Sequence, residues 1–274
     1  MTKRGSEMIT GNTRLFGIVA DPVDQVRTPQ VLNRLFEQRG HDAVLVPFHV
    51  GADGLPRIFE AFRQIRNLGG FIVTVPHKVE ALALCDEIED AARAIGAVNT
   101  IRREPDGRLV GGMFDGIGFV AGLKARGHDP AGRRVLLLGA GGAAAAIAHA
   151  LALAGVGSLT IANRTLSKAR EMAERIAASA PGVRVEAGVA DPSGYDMVVN
   201  ATSLGMRPDD PLPLDVAKLS SGTLVAEIIM KPEMTALLGQ AQARGCPVHL
   251  GRHMLEEQAA LMAGFMAGGP GASR

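Results

Sequence analysis

Short continuous apolar runs alternate along the chain with stretches in which apolar residues recur at helical spacing. Leu15–Ala20 (LFGIVA) has the length and continuity of a buried strand. A proline-punctuated turn follows, then a helix from about Pro29 to Arg39. Ala43–Pro47 reads as a second strand and Leu55–Asn67 as a second amphipathic helix. Phe71–Val75 is a short run rich in β-branched residues, stopped by Pro76, from which a helix to about Ile88 is expected. Residues 100–111 (TIRREPDGRLVGG through its first glycine) carry the pattern of a hairpin with Pro-Asp-Gly as its turn. This alternation predicts an α/β half with a mainly parallel sheet.

The second half repeats the theme. Gly116–Arg126 is helical in pattern, and a strand–helix–strand unit follows: Arg134–Leu138, a glycine-rich turn, Ala143–Ala154 and Leu159–Ala162. Strands are expected at Arg184–Ala187, Met197–Asn200, Thr223–Ile228 and Pro247–Leu250, separated by helical stretches, with a last helix at about His253–Ala267. The fold class expected is α/β: an N-terminal domain (residues 1–115) and a Rossmann-type doubly wound domain (116–250), with the segment 251–274 following them. The tail GGPGASR has the composition of a frayed end.

Composition narrows the partners. The chain has 274 residues, 47% hydrophobic and 21% charged, which suits two modest globular domains and argues against disorder. A net charge of +1 supplies no global basic field to attract nucleic acid. Ala143–Val156 is apolar but too short to span a membrane, and the N-terminus lacks the apolar run of a signal peptide. Cys85 and Cys246 have no CxxC partner and no neighbouring His cluster, so plain thiols, no metal and a cytoplasmic location are expected. The partner expected is a small molecule, and the sequence does not set the oligomeric state.

The segment VLLLGAGGAAAAIAHAL places Gly139, Gly141 and Ala144 in G-x-G-x-x-A spacing, directly after an apolar strand and at the opening of a helix. Gly139 permits the tight turn, Gly141 removes a side chain where a pyrophosphate approaches, and Ala144 lets the helix pack close. The turn Gly139-Ala140-Gly141-Gly142-Ala143 is therefore expected to hold a dinucleotide. At the end of the next strand an NAD site usually carries an acid on the ribose diol. Here that strand ends Ala162-Asn163-Arg164-Thr165, with Lys168 one turn on. Arg164 can stack on adenine or fork onto a 2′-phosphate, with Asn163 and Thr165 adding hydrogen bonds, so NADP is the expected cofactor.

In the first half, Lys78 falls in VTVPHK, in the first turn of the helix expected after Pro76, where the macrodipole opposes a cation by roughly 0.3–1 kcal/mol. Such a lysine is a candidate general acid/base, although a surface lysine is the simpler account of it alone. Asp115 before Gly116 could be a helix N-cap. Thr74 and Asn99 have ordinary strand-end readings, and Gln258 could belong to a polar helix face.

Together these pieces carry more. VTVPHK, GAVNT (96–100), Asp115-Gly116, GAGGA, NRT (163–165), NATSLGM (200–206) and GRHMLEEQA (251–259) occur in one chain in this order. That series resembles the shikimate/quinate dehydrogenase family over nearly the whole chain. The resemblance implies a substrate domain facing an NADP domain across a cleft, with the C-terminal helix (251–274) returning to the substrate domain, and Lys78 with Asp115 as the catalytic pair at the substrate hydroxyl. It implies Thr74, Asn99 and Gln258 on the other hydroxyls, and the NATSLGM loop, with Thr202 and Met206, beside the nicotinamide. The activity implied is NADP-dependent interconversion of shikimate and 3-dehydroshikimate. The same chemistry on quinate or another cyclic alcohol, and an NADP-sensing regulator without turnover, stand as alternatives.

The chain also departs from that family. Its first loop usually reads N-P-x-x-H-S-x-S-P, the two serines holding the substrate carboxylate. Here the loop runs Asp21-Pro22-Val23-Asp24-Gln25-Val26-Arg27-Thr28-Pro29, so one serine position is Val26 and the other keeps a hydroxyl as Thr28. A tyrosine of the later D-x-x-Y-x-P motif is Met230, the asparagine before VTVP is Ile72, and N-T-D-G is Met113-Phe114-Asp115-Gly116. Hydrogen bonds to a charged group are worth about 1.5–3 kcal/mol each, so altered substrate recognition is expected unless Gln25 or Arg27 substitutes.

Overall fold

The apolar runs assemble into two sheets in a computed structural model that describes residues 9–268. In chain order the first contains β1 (Arg14–Ala20), α1 (Thr28–Gln38), β2 (Ala43–His49), α2 (Leu55–Gln64), β3 (Leu68–Val73), β4 (Glu87–Ile88), α3 (Asp90–Ile95), β5 (Thr100–Arg103) and β6 (Leu109–Gly112). The strand order is β2-β1-β3-β5-β6-β4. Pairing is parallel through β2, β1 and β3, antiparallel at β3/β5 and in the β5–β6 hairpin, and parallel again at β4/β6. β3 is buried along its whole length, which its unbroken apolar run requires. Helix α1 buries Thr28, Leu32 and Phe36, and α2 buries Leu55, Phe59 and Phe62, one stripe each at helical spacing. The α2 stripe meets β3 in an aromatic core, with Phe71 packed edge-on to Phe59 at 4.9 Å and tilted against Phe62 at 4.6 Å, while Phe36 of α1 packs on Phe16 of β1 at 5.3 Å.

The second sheet is parallel throughout. Its elements are α4 (Asp115–Ala125), β7 (Arg134–Leu138), α5 (Gly142–Leu153), β8 (Ser158–Ala162), α6 (Leu166–Ser179), β9 (Arg184–Gly188), β10 (Met197–Asn200), β11 (Leu224–Glu227), α7 (Ala236–Ala243), β12 (Val248–His249) and α8 (Arg252–Ala267). The order β12-β11-β10-β7-β8-β9 reverses direction at β7, as in a doubly wound fold. Alanine dominates α5 because the helix is buried nearly all round, and the small side chains let α4 approach it. A Cβ on Gly116 would stand 2.1 Å from the Ala146 carbonyl oxygen. The chain divides into two compact units between Phe114 and Asp115 and again between Gln258 and Ala259, inside α8.

Two expectations fail. No α-helix runs from Pro76 to Ile88: the chain turns at residues 75–79, makes a 3₁₀ helix at Glu80–Leu84 and then forms β4. Tertiary backbone bonds outcompete the helix. The Lys78 carbonyl accepts from Val98 N at 2.9 Å, and Asp86 N donates to the Leu109 carbonyl at 2.9 Å. The macrodipole argument for Lys78 falls with that helix. The helical stretches expected between all the later strands are also incomplete, since residues 189–196 form a loop and only a 3₁₀ turn, Val216–Lys218, lies between β10 and β11. The proline-rich segment 208–213 (PDDPLP) explains the second gap. Helix α3, ended by Gly96 at φ +74°, is an element the pattern reading does not assign. The tail from residue 269 lies outside the described residues.

Candidate active site

Reversal of strand order leaves a crevice at the carboxyl ends of β7 and its neighbours, where doubly wound sheets bind ligands. A cavity of about 860 Å³ occupies it here, lined at its centre by Gly139, Ala140 and Gly141. Gly139 takes φ +113°, and a Cβ there would stand 2.9 Å from the Ala201 carbonyl oxygen, so only glycine fits. Around Gly141 nothing lies within 4 Å of a hypothetical Cβ, the open approach a pyrophosphate needs. Helix α5 starts at Gly142 with no side-chain cap and no acid in its first turn. Its first N–H groups, which directly follow the cavity-lining Gly141, are therefore unopposed by a carboxylate of their own helix. Gly142 and Ala143 are half-buried at this helix start, while Ala144 is fully buried.

Asn163, Arg164, Thr165 and Lys168 line the same cavity beyond β8. Asn163 Nδ2 donates to the Thr165 carbonyl at 3.0 Å and so shapes the turn, while Arg164 and Lys168 are exposed. The lining thus holds two cations and no carboxylate, a donor set suited to a 2′-phosphate and unsuited to a bare ribose diol. Thr202, Ser203 and Leu204 line the other side, beyond β10, and Met206 follows half-buried in the same loop.

In the first unit the order β2-β1-β3 reverses at β1, which places a second crevice at the carboxyl ends of β1 and β3. Backbone bonds knit the candidate residues there. Thr74 N donates to the Val19 carbonyl at 3.0 Å, Asp21 N to Val75 at 3.1 Å, and Val73 N to Asn99 at 2.9 Å. Lys78, half-buried, is fixed through its carbonyl as described above. The buried Asn99 Oδ1 accepts from Phe114 N at 3.0 Å and from Thr100 Oγ1 at 2.9 Å. Thr28 is buried at the start of α1, with Val26 half-buried just before it. Asp21 is hydrogen-bonded to His49 Nε2 at 2.8 Å.

Asp115 and Gln258 belong to the second unit. Asp115 opens α4 and is buried, a position that also suits an N-cap. Gln258 lies on α8 where it crosses α4: a Cβ on Gly118 would come within 2.6 Å of Gln258 Cβ. Its Oε1 is buried with no hydrogen-bond partner, an acceptor left for a hydroxyl. Met230 follows β11 and is half-buried. Two clusters escape the sequence reading. One is Asn200, Glu227 and Thr235 behind the cavity at the switch point of the second sheet; the other is His128, His249 and His253, of which the i, i+4 spacing of the last two is the visible sign. Among the described residues no group of three or more His, Cys, Asp or Glu is placed to hold a metal, and no helix is long and apolar enough to cross a membrane. Both cysteines are free thiols, and burial pushes Cys85 up to about 12.

A parallel doubly wound sheet with a glycine turn and a cation-lined cavity at its switch point defines a dinucleotide-binding α/β protein. The comparisons narrow the class. Residues 18–101 match the family model for the shikimate dehydrogenase substrate binding domain, and residues 123–204 that for shikimate / quinate 5-dehydrogenase. A shikimate dehydrogenase (NADP(+)) of Rubrobacter xylanophilus is 42% identical over 255 residues, 90% of this chain and 88% of that protein. Among solved structures, a shikimate dehydrogenase in complex with NADP+ superposes with TM-score 0.87 at 33% identity, covering 95% of this chain and 92% of that one. The 5-ketofructose reductase of Gluconobacter sp. strain CHM43 does so with TM-score 0.82 at 36% identity, covering 95% of each. The chain belongs to the shikimate dehydrogenase family.

Proposed function

We propose that this chain is an NADP-dependent oxidoreductase that interconverts shikimate and 3-dehydroshikimate. The observation that carries the reading is the cavity at the second sheet's switch point, glycine-floored and flanked by Arg164 and Lys168 without a carboxylate. It occurs in a chain 42% identical to an NADP-dependent shikimate dehydrogenase. Arg164, with Lys168 behind it, grips the 2′-phosphate, the turn Gly139–Ala143 with the start of α5 holds the pyrophosphate, and Asn163 and Thr165 shape the adenosine end. Thr202 and Met206 border the nicotinamide end. When bound, NADP supplies the hydride acceptor or donor.

The protein handles the proton. Oxidising a secondary alcohol releases a hydride from carbon and a proton from oxygen; Lys78 takes that proton and returns it in the reverse reaction, while Asp115 orients the hydroxyl. Gln258 Oε1 accepts from a second hydroxyl, which satisfies its buried lone pairs, and Asn99 and Thr74 bind the remainder. Thr28 donates to the carboxylate. Two unpaired thiols suit the reducing cytoplasm.

The test is NADPH formation from shikimate and quinate, with NADPH consumption on uncharged polyhydroxy ketones as a parallel arm. That arm is included because Val26 removes one expected donor and a ketose reductase stands at 36% identity. Turnover with shikimate supports the proposal. Tight NADP binding without turnover on any alcohol would instead favour a sensor.

A further inference from the structure

Glu227, the last residue of β11, is fully buried, and its carboxylate is tied on both sides. Oε1 accepts from Asn200 Nδ2 at 2.8 Å, and Oε2 from Thr235 Oγ1 at 2.6 Å. Burying an acid costs free energy that an apolar residue at the same place would not, so the carboxylate calls for an explanation beyond packing.

The chain of bonds continues from Glu227 to the cofactor cavity. Asn200 Nδ2 also donates to the Leu204 carbonyl at 3.0 Å, and Asn200 Oδ1 accepts from Thr202 N at 3.1 Å and Thr202 Oγ1 at 2.7 Å. The amide has then used both donor hydrogens and both acceptor lone pairs, so it has one orientation available. Thr202 Oγ1 in turn accepts from Leu204 N at 3.1 Å. At the other end Thr235 is anchored as the N-cap of α7, its Oγ1 accepting from Leu238 N at 3.2 Å. A strut thus runs from a helix cap through Glu227 and Asn200 to Thr202 and Leu204, both of which line the cavity. From the opposite side the loop is held against the glycine turn, where Ala201 leaves no room for a side chain on Gly139.

Strand order decides which half of a dinucleotide this loop meets. Arg164 and Lys168 follow β8, the glycine turn follows β7, and Thr202 follows β10, on the far side of β7. A dinucleotide with its 2′-phosphate at Arg164 and its pyrophosphate at the glycine turn must extend its nicotinamide half toward β10. We propose that Glu227 is the positioning residue for the nicotinamide half of the cofactor site, setting the Thr202–Leu204 loop through Asn200 while leaving the adenosine half untouched. The proposal rests on the NADP reading above.

Isothermal titration with two probes tests it: NADP, which spans the cavity, and 2′,5′-ADP, which occupies only the adenosine end. Glu227→Ala should weaken NADP about tenfold or more, the scale of a lost charge-assisted hydrogen bond, while 2′,5′-ADP stays within about twofold of wild type. Glu227→Gln should restore NADP binding, because its Oε1 still accepts from Asn200 and its amide can donate to Thr235 Oγ1. A merely structural role would not separate the two probes. If Glu227→Ala does not fold, Thr202→Val interrupts the same strut at its cavity end and should give the same split. Wild-type-like NADP binding in the variants, equal weakening of both probes, or no rescue by glutamine overturns the proposal. Failure of 2′,5′-ADP to bind the wild type would remove the NADP reading and the proposal with it.

Discussion

Mild acid should destabilise the second unit through two imidazoles. His249 ends β12, is 1% exposed and has a buried Nε2 with no hydrogen-bond partner. Its ring packs against His253 with centroids 4.5 Å apart, against His128 at 6.3 Å and edge-on to Phe119 at 5.8 Å, and its Nδ1 lies 3.3 Å from His253 Nδ1. Burial first, then the neighbouring His253, His128 and Arg126, disfavours a charge on His249 and lowers it to about 3. Burial, with Arg126, Arg252 and His128 reinforcing it and Glu233 opposing, lowers His253 to about 4. In the unfolded chain both would titrate near the ordinary value of 6.5. Below that pH the unfolded state binds protons that the folded state refuses, so stability falls as pH falls, until the folded groups titrate in their turn. The slope is about 1.4 kcal/mol per pH unit per group, which makes about 2 kcal/mol for His249 between pH 6.5 and pH 5. His253 adds to this but not in full, because the two rings touch. Urea unfolding of wild type and His249→Phe at pH 7 and pH 5 measures the effect. Phenylalanine keeps a ring against Phe119 and cannot take a proton. The loss of stability from pH 7 to pH 5 should be about 2 kcal/mol smaller in the variant. Equal losses in the two proteins would refute the reasoning.

Arg164→Ala should raise KM for NADP about 10- to 100-fold with little change in kcat, and should leave weak NAD use unaffected; steady-state kinetics with both cofactors checks it. Lys78→Ala should lower kcat about 100- to 10,000-fold while NADP affinity, read by titration, stays unchanged. Gly116→Ala places a Cβ on the Ala146 carbonyl of a buried helix neighbour, and should cost about 1–3 kcal/mol, seen as a lower Tm. Val26→Ser should lower KM for shikimate and do less for its primary amide, since the added hydroxyl would serve the carboxylate.

The fold was most legible where two independent signals agreed. At residues 134–153 an apolar strand-length run, a G-x-G-x-x-A turn and an alanine-rich helix all demand the same geometry, and β7, the positive φ at Gly139 and α5 follow. Around Pro76 the local pattern spoke for a helix, yet the backbone partners that forbid it, Val98 and Leu109, lie 20 and more residues downstream. Helical periodicity carries no information about such partners. That Arg164 and Lys168 line one cavity with the glycine turn was open to reading for the same reason, because they follow that turn within one strand–helix–strand unit.

The Asn200–Glu227 strut could not be read in this way. The two residues are 27 positions apart and meet only because β10 and β11 pair in parallel with Asn200 opposite Glu227. A single register step in either strand would separate them, and would turn the side chain of the shifted strand to the other face of the sheet. In sequence Glu227 holds the acidic position of the D-x-x-Y-x-P motif, but nothing in that motif says that the acid is buried or that it meets Asn200. Its burial and its two donors are properties of the register. Local chemistry therefore marks the part of a cofactor site built by one strand–turn–helix unit, and pairing register decides the part built between strands. Substitutions that preserve motifs but disturb register-dependent contacts should thus alter how the cofactor lies without altering whether its phosphates bind.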